Sequence, residues 1–261
     1  MAAWLTDHPA RRGTNAAYTV CLARGEDAPA AADMLLQAQR VAWYAHVQRA
    51  AQLIGSQDVF LVEAKGRLTG ICGLAIAPRT VARIQVFVSR ERSHTPQVLD
   101  ALLRELSGRL SQQGVETLAF VGPDRWLIAS LAAHGFRRTN AILTLHKESF
   151  AMPDRGNPDV NLHPVRSADL PRLVVIDAAA FDPLWRNTEQ TFEQYRQQCS
   201  EWNAAELGET IVGYSCIHLS GRHGHITRIV VHPHYQGRGI GVRLLAEAVA
   251  SLEAGGAFGI T

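Results

Sequence analysis

The sequence has little that would direct it to a membrane or to a nucleic acid. No apolar run is long enough to cross a bilayer, and the opening residues MAAWLTDHPARRG contain no apolar signal core. The 26 Lys and Arg residues nearly balance the 24 Asp and Glu residues, giving a net charge of +2 without a long basic run. These absences argue against nucleic acid and an anionic membrane as main partners. They predict a cytoplasmic protein.

Cysteine is also scarce. The four cysteines (Cys21, Cys72, Cys199 and Cys216) lie far apart, and none forms a C-x-x-C pair. This usage fits a reducing cytosol. With 261 residues, of which 47% are hydrophobic and 19% charged, the chain is long and apolar enough for two domains with proper cores.

The stretch AMPDRGNPD, residues 151–159, is rich in proline, glycine and aspartate and lies between two patterned regions. We therefore predict a first domain at 1–150, a linker at 151–159 and a second domain at 160–261. In the first domain, alternation and helical spacing predict strands at 58–67, 68–77, 83–89, 116–121 and 141–147, and helices at 95–110 and 125–134. Thr95 is the expected helix cap, with Pro96 at the first helical position.

The second half repeats this order. We expect strands at 160–165 and 223–233, helices at 167–181 and 191–199, and a hairpin at 201–219. GRLTGICG matches GETIVGYSC, and RIQVFV matches RIVVHP, at an offset of about 145 residues, far longer than a solenoid period. The pattern predicts an α+β (α/β) fold of two tandem domains, each with a mixed, mostly antiparallel sheet flanked by helices.

The segment YQGRGIG follows the strand at 223–233 and opens an apolar helix. Its glycines, Gly237, Gly239 and Gly241, permit tight positive-φ turns and let a ligand approach the main chain. A helix N-terminus adds unpaired N–H groups and partial positive charge, so together they predict a phosphate site. The corresponding segment of the first half, RERSHTP, has no glycine. The first domain is therefore expected to lack this site.

Two common phosphate loops do not fit. A P-loop needs Lys and Ser or Thr after its last glycine, where this chain has Val242 and Arg243. The even spacing of the glycines breaks the dinucleotide pattern G-x-G-x-x-G, which also requires a parallel βαβ unit rather than a hairpin. A tight strand–helix connection without a ligand remains the alternative.

With RIVVHP before it, the segment resembles the cofactor turn of the GNAT superfamily of acyl-CoA-dependent N-acyltransferases. In that family a Gln or Arg, two residues, Gly, one residue, and Gly or Ala open the helix, which here are Gln236, Gly239 and Gly241. The resemblance implies that acetyl-CoA is the cosubstrate and that a small amine is the acceptor, with no metal. It further implies that Ile229, Val230 and Val231 line the pantetheine arm, and that Gln236, Gly237, Arg238, Gly239, Ile240 and Gly241 hold the pyrophosphate.

Direct attack of an amine on a thioester needs a base for the ammonium proton, and histidine has a suitable pKa. His225 is the candidate, because the family often places a polar base on this strand. Glu206 and Glu209 in the hairpin are weaker candidates. A metal site at His223, His225, His232 and His234 is the competing interpretation, although Pro233 interrupts the second pair and no cysteine or carboxylate completes a set.

After its helix the second half has only GGAFGIT, one short strand. We therefore expect the second domain to lack its last elements, including the family's usual thiolate-protonating tyrosine. The alternative function is a non-catalytic acyl-CoA-binding or sensing tandem domain. The aromatic residues Trp185, Tyr195, Trp202 and Tyr214 are expected mainly as core, with an acceptor cleft as their other interpretation. The acceptor and homo-oligomerisation stay open.

Overall fold

The computed structural model describes residues 2–6, 17–43, 54, 58–76 and 80–261. It divides into two compact units, Met1–Leu143 and Thr144–Thr261. Each unit combines a sheet with flanking helices, which confirms the predicted α+β class. The predicted end of a strand at residue 77 lies outside the described residues. No helix in the described ranges is long and apolar enough to cross a membrane.

The first unit contains an eight-stranded sheet. Its strands are β1 Ala2–Thr6, β2 Tyr18–Leu22, β3 Arg40–Trp43, β4 Asp58–Ala64, β5 Arg67–Ile76, β6 Val81–Ser89, β7 Thr117–Gly122 and β8 Arg137–Ala141. Its helices are α1 Ala28–Gln37, α2 Thr95–Gln112 and α3 Arg125–Ala133. The order is β2-β4-β5-β6-β7-β1-β8, with β3 beside β6, and among these described strands β6 and β7 alone pair in parallel.

The apolar face predicted for α2 is buried, and it includes Val98, Leu99, Leu102 and Leu106. Its start differs by one residue from the prediction, because His94 is the N-cap and the helix begins at Thr95. The predicted strand 141–147 is wrong. The chain pairs earlier, at Arg137–Ala141, where it lies against β1, and only Lys147 later forms a bridge, with Ile260.

The second unit has a five-stranded sheet in the order β13-β12-β11-β10-β9. The strands are β9 Val160–Pro164, β10 Glu201–Leu207, β11 Thr210–Ser220, β12 His223–Val231 and β13 Gly259–Ile260. The helices are α4 Leu170–Ala180, α5 Glu189–Gln198 and α6 Ile240–Ala254, and 3₁₀ turns lie at Ser167–Asp169, Pro183–Trp185 and Pro233–Tyr235. Helix α6 buries Ile240, Leu244, Val249 and Leu252 against the sheet.

The predicted linker lies in the second unit. Phe150 and Met152 pack against the buried residues of α6 and β13. Asn157 N donates to Gly239 O, in the glycine turn (residues 236–241) that leads into α6. The compact units divide at 143/144, sixteen residues before the predicted second domain begins. The predicted domain bounds therefore describe the sequence pattern, whereas the packing assigns residues 144–159 to the second unit.

Cysteines 199 and 216 form a disulfide, with their Cα atoms 6.2 Å apart. The cysteine spacing in the sequence did not predict this pairing. The sequence spacing of 17 hid the pairing, because α5 ends beside β11, where Ser200 N donates to Ile217 O. Cys21 and Cys72 are free, and burial raises the pKa of the Cys72 thiol to about 12.

Strand β6 of the first unit corresponds to β12 of the second. In the first unit Ser89 pairs with Gly70, and Arg90 N donates to Thr69 O. In the second unit Val231 pairs with Gly213 in the same way, and His232 N donates to Val212 O. Both strands carry a bulge and both lie parallel to a later strand only at their beginning. This register aligns Val86 with Arg228, so the predicted match of RIQVFV with RIVVHP is three residues out of register.

Candidate functional site

The turn between β12 and α6 exposes a run of peptide N–H groups. Gly237 and Gly239 have φ of 76° and 75°, a left-handed conformation that favours glycine. Residues 236 and 237 form a turn that is closed at Arg238 N. Within the described part of the chain, the N–H groups of Gly237 and of residues 239–242 donate to no protein acceptor, and the helical ladder begins where Arg243 N donates to Gly239 O at 3.0 Å. These five free donors at the start of a 15-residue helix form a cradle for an anion.

Glycine also keeps this cradle open. A Cβ added at Gly237 would meet no atom within 4 Å, and one at Gly241 would find only Val231 Cγ2, at 3.8 Å. Gln236 contributes differently, because its N–H donates to Pro233 O and its side-chain Nε2 donates to Val231 O at 3.0 Å. The free donors therefore begin at Gly237, while Gln236 ties the turn back to the strand.

One edge of β12 leads into this turn without a strand partner. His232 N donates to Val212 O, and backbone groups alternate between the two edges of a strand, so the N–H and C=O groups of Val230 and Arg228 also point to β11. The N–H and C=O groups of Ile229 and Val231 therefore point to the opposite edge. On that edge β13 pairs with His223 and Gly224, and the last bond to it is Ile226 N to Thr261 O at 2.8 Å. From Ile229 to Val231 the described residues supply no neighbouring strand.

The first unit fills the same edge with its own chain. Strand β3 pairs with β6 from Val86 to Ser89, the positions that correspond to Arg228 through Val231. Gln39 N also donates to Arg90 O, which extends the pairing to the following turn. The first unit thus has neither the glycines nor the open edge of the second.

A buried polar network that sequence reasoning missed lies between β12 and helix α4. Asp177 of α4 is fully buried, and its carboxylate accepts from Tyr214 Oη at 2.5 Å, from Arg228 Nη2 at 2.7 Å and from Asn187 N at 2.7 Å. Arg228 also donates to Trp185 O at 2.7 Å. Burial, followed by the neighbouring carboxylate, raises the pKa of the Tyr214 hydroxyl. The available sequence signal was an aspartate within the apolar helix LVVIDAAAF.

Arg228 is held by contacts on several sides. Its Cζ lies 3.5 Å from the centroid of the Phe181 ring, a cation–π contact, while Nε and Nη2 bind Asp177. The side chain is 15% exposed. Since Arg228 directly precedes the open edge of β12, this network fixes the strand just before that edge.

His225, the predicted base, lies before the bulge of β12. Its Nδ1 is 3.0 Å from Thr261 Oγ1, which also lies 2.9 Å from His223 Nε2. Burial, then the charges of neighbouring histidines, lowers the pKa of His225. Its imidazole is consequently neutral at neutral pH and can accept a proton at Nε2 if Nδ1 carries the hydrogen.

The other predicted candidates lie apart from this strand edge. Glu206 is on β10, where it is 3.9 Å from His163, and Glu209 is exposed in the hairpin turn. His232 and His234 meet edge-on, with ring centroids 5.1 Å apart, at the opposite end of β12 from His223 and His225. Among the described residues no group of three or more His, Cys, Asp or Glu side chains is arranged to hold a metal.

The predicted aromatic core forms around Phe192. Its ring stacks on Trp202 at 5.8 Å and meets Tyr195 and Tyr214 edge-on, at 6.0 and 5.7 Å. Trp185 instead lies in the 3₁₀ turn whose carbonyl binds Arg228. Three of the four aromatics considered for an acceptor cleft thus belong to the core of the second unit.

This sheet, with an open strand edge running into a glycine turn at a helix N-terminus, defines a GNAT-type acyltransferase fold. The solved structures to which the chain is similar include three with TM-scores above one half. A GCN5-related N-acetyltransferase from Sphaerobacter thermophilus has 16% identity and a TM-score of 0.56, with 93% of this chain and 85% of that one covered. A tandem GNAT protein from the clavulanic acid biosynthesis pathway has 15% identity and a TM-score of 0.58, with 93% and 88% covered.

The third is a GCN5-related glucosamine N-acetyltransferase region of a fungal multi-domain GH3 β-N-acetylglucosaminidase. It has 12% identity and a TM-score of 0.60, and the alignment covers 97% of this chain and 35% of that one. No curated protein matches the sequence significantly. The model of the acetyltransferase (GNAT) family matches residues 170–260. The match places a domain of the GNAT family in the second unit.

Proposed function

We propose that the protein is an N-acetyltransferase that transfers the acetyl group of acetyl-CoA to a primary amine of a small molecule or peptide, and that the second unit carries the site. The observation that supports this most directly is the set of free N–H groups at Gly237 and at residues 239–242, beside the open edge of β12. An anion cradle and an adjacent strand edge suit a ligand with a diphosphate and an amide-containing arm.

In this proposal, the free N–H groups from Gly237 to Gly241 hold the pyrophosphate and the backbone of Ile229 to Val231 pairs with the pantetheine arm. The buried side chain of Val230 anchors this strand segment in the core beneath it. Acetyl-CoA supplies the acyl group as an activated thioester. Holding the amine against that thioester is the larger part of the rate gain.

His225 is the proposed general base. A neutral imidazole accepts the ammonium proton directly or through a water molecule, and its lowered pKa keeps it neutral at working pH. Arg228 is paired with Asp177 at 2.7 Å, so its guanidinium is held near the strand edge as a hydrogen-bond donor.

Calorimetric titration with acetyl-CoA tests the cofactor assignment. We expect saturable binding, and the absence of heat at millimolar ligand would contradict it. A thiol-release assay over a panel of amines then tests turnover. Binding with no thiol release for any amine would favour the alternative, a non-catalytic acyl-CoA-binding or sensing protein.

A single substitution tests the site itself. Gly241→Trp places an indole in the first turn of α6, where a Cβ is tolerated but the anion would lie. Gly239 is a less suitable position, because a Cβ there would lie 3.1 Å from Asn157 N. The matched control is Gly108→Trp, a helical glycine of α2 with no atom within 4 Å of the added Cβ. Loss of acetyl-CoA binding in the first variant alone supports the assignment, and equal binding in both refutes it.

A further inference from the structure

Residues 154–157, which precede β9, contact the glycine turn through hydrogen bonds of Asn157. Asn157 N donates to Gly239 O at 3.2 Å, and Asn157 Nδ2 donates to Arg238 O at 3.0 Å. The side-chain oxygen Oδ1 accepts from Asp159 N at 2.8 Å, which fixes the orientation of the amide. One residue more than eighty positions earlier in the sequence therefore holds Arg238 O, and it shares Gly239 O with Arg243 N, which donates to the same oxygen at 3.0 Å.

The peptide planes transmit this contact to the free donors. In a trans peptide the C=O and the next N–H point in opposite directions. Holding Arg238 O from one side therefore aims the N–H of Gly239 to the other side, and holding Gly239 O does the same for the N–H of Ile240. These are two of the donors proposed to bind the pyrophosphate.

Such fixing is needed because the turn is intrinsically loose. Gly237 and Gly239 both have positive φ, and glycine peptides rotate more freely than those of other residues. No side chain from the turn itself holds these two carbonyls in the described residues. An anion cradle is effective only when its donors are already aligned before the ligand arrives.

Gly156 allows the close approach of this segment. Its φ is 75°, and an added Cβ would lie 2.5 Å from Gly239 O and 2.7 Å from Arg243 Cα, both backbone atoms. Asp154 Oδ1 accepts from Gly156 N at 2.8 Å and shapes the bend. Any larger residue at 156 would push the segment away from α6 and would break both bonds of Asn157.

We propose that Asn157 is a positioning residue that pre-aligns the Gly239 and Ile240 N–H groups for the pyrophosphate of the acyl donor. This inference rests on the proposed function. It gives the segment 154–157 a role in donor recognition, beyond that of connecting two units.

The test compares two ligands that differ in the diphosphate. Binding of CoA and of pantetheine, which lacks the diphosphate, is measured by calorimetry and by ligand-observed NMR titration. The variants are Asn157→Ala, which removes the Nδ2 donor, and Asn157→Asp, which removes it without changing shape. Asn161→Asp is the matched control, because it makes the same change at an exposed residue of β9.

We expect Asn157→Ala to bind CoA roughly fivefold to tenfold more weakly, the loss that corresponds to one hydrogen bond, with unchanged affinity for pantetheine. Asn157→Asp is expected to lose at least as much, and Asn161→Asp to match the wild type. Unchanged CoA affinity in both Asn157 variants would overturn the inference, as would an equal loss for both ligands, since that marks a general structural effect. Failure of the wild type to bind CoA would instead overturn the proposed function and this inference with it.

Discussion

Replacing Asp177 by alanine removes the centre of the buried network behind β12. The carboxylate is fully buried and accepts from Arg228 Nη2, Tyr214 Oη and Asn187 N, all within 2.7 Å. Without it, the guanidinium of Arg228, whose side chain is 15% exposed, has no counter-ion. The Tyr214 hydroxyl loses its acceptor as well, so the variant leaves both a charge and a hydroxyl unsatisfied in the core.

Breaking a buried ion pair in this way costs about 3–5 kcal/mol, because the remaining charge keeps its desolvation penalty. The matched control is Glu247→Ala, which breaks the bond to Arg243 at 2.9 Å on the surface of α6. That pair is 29% and 38% exposed and has i,i+4 spacing, so its loss is expected to cost only about 0.3–0.5 kcal/mol. A several-fold difference between the two variants is therefore expected.

Hydrogen exchange measured by mass spectrometry resolves the two units, which a single unfolding curve does not. In Asp177→Ala, protection of β11 and β12 peptides is expected to fall by roughly two to three powers of ten, since 1.4 kcal/mol corresponds to tenfold. Protection of β5 and β6 is expected to stay unchanged. The double variant Asp177→Leu and Arg228→Met also removes the unpaired charge of Arg228, and it is expected to recover much of the lost protection. A loss no larger than that of Glu247→Ala would refute the reasoning.

Three further predictions concern the disulfide, the base and the stoichiometry. Cys199→Ser opens a loop of 17 residues and is expected to destabilise the second unit by about 3 kcal/mol, measured by hydrogen exchange of its peptides, an effect that reduction of the wild type should reproduce. Because only neutral imidazole accepts a proton, activity is expected to be full above the lowered pKa of His225 and to decline as the pH falls through it, below pH 6.5. His225→Gln is expected to reduce acyl transfer by roughly 10²–10⁴-fold and to abolish that acidic limb. Calorimetry is expected to give one acetyl-CoA per chain, and a second site of similar affinity would contradict the assignment of β3 to the donor edge of the first unit.

The sequence predicted those parts of the fold that depend on local periodicity and on turn chemistry. Helix α2, the hairpin of β10 and β11, and the glycine turn all follow from spacing within a few residues. These structural predictions succeed because each depends on neighbours along the chain. The role of the turn in binding a ligand comes from the family resemblance and stays a prediction.

What could not be predicted depends on contacts between distant segments. Strand β3 has four residues and no distinctive pattern, so its place beside β6 is visible only in the sheet. The bonds of Asn157 to the turn span about eighty residues, and the Cys199–Cys216 disulfide depends on where α5 ends over β11. Asp177 gave a usable indication, because a carboxylate within an apolar helix must find a buried partner.

The two units show two ways of completing the same sheet. An open strand edge has unpaired N–H and C=O groups, which favour pairing with another chain. The first unit covers that edge of β6 with β3 and has no glycines in the turn that follows. The second leaves Ile229 and Val231 unpaired in the described residues and keeps both positive-φ glycines, with Asn157 holding the turn in place. The open edge and the glycine turn each cost stability when no ligand is bound. The second unit keeps both features and the first unit has neither, which favours a single donor site, in the second unit.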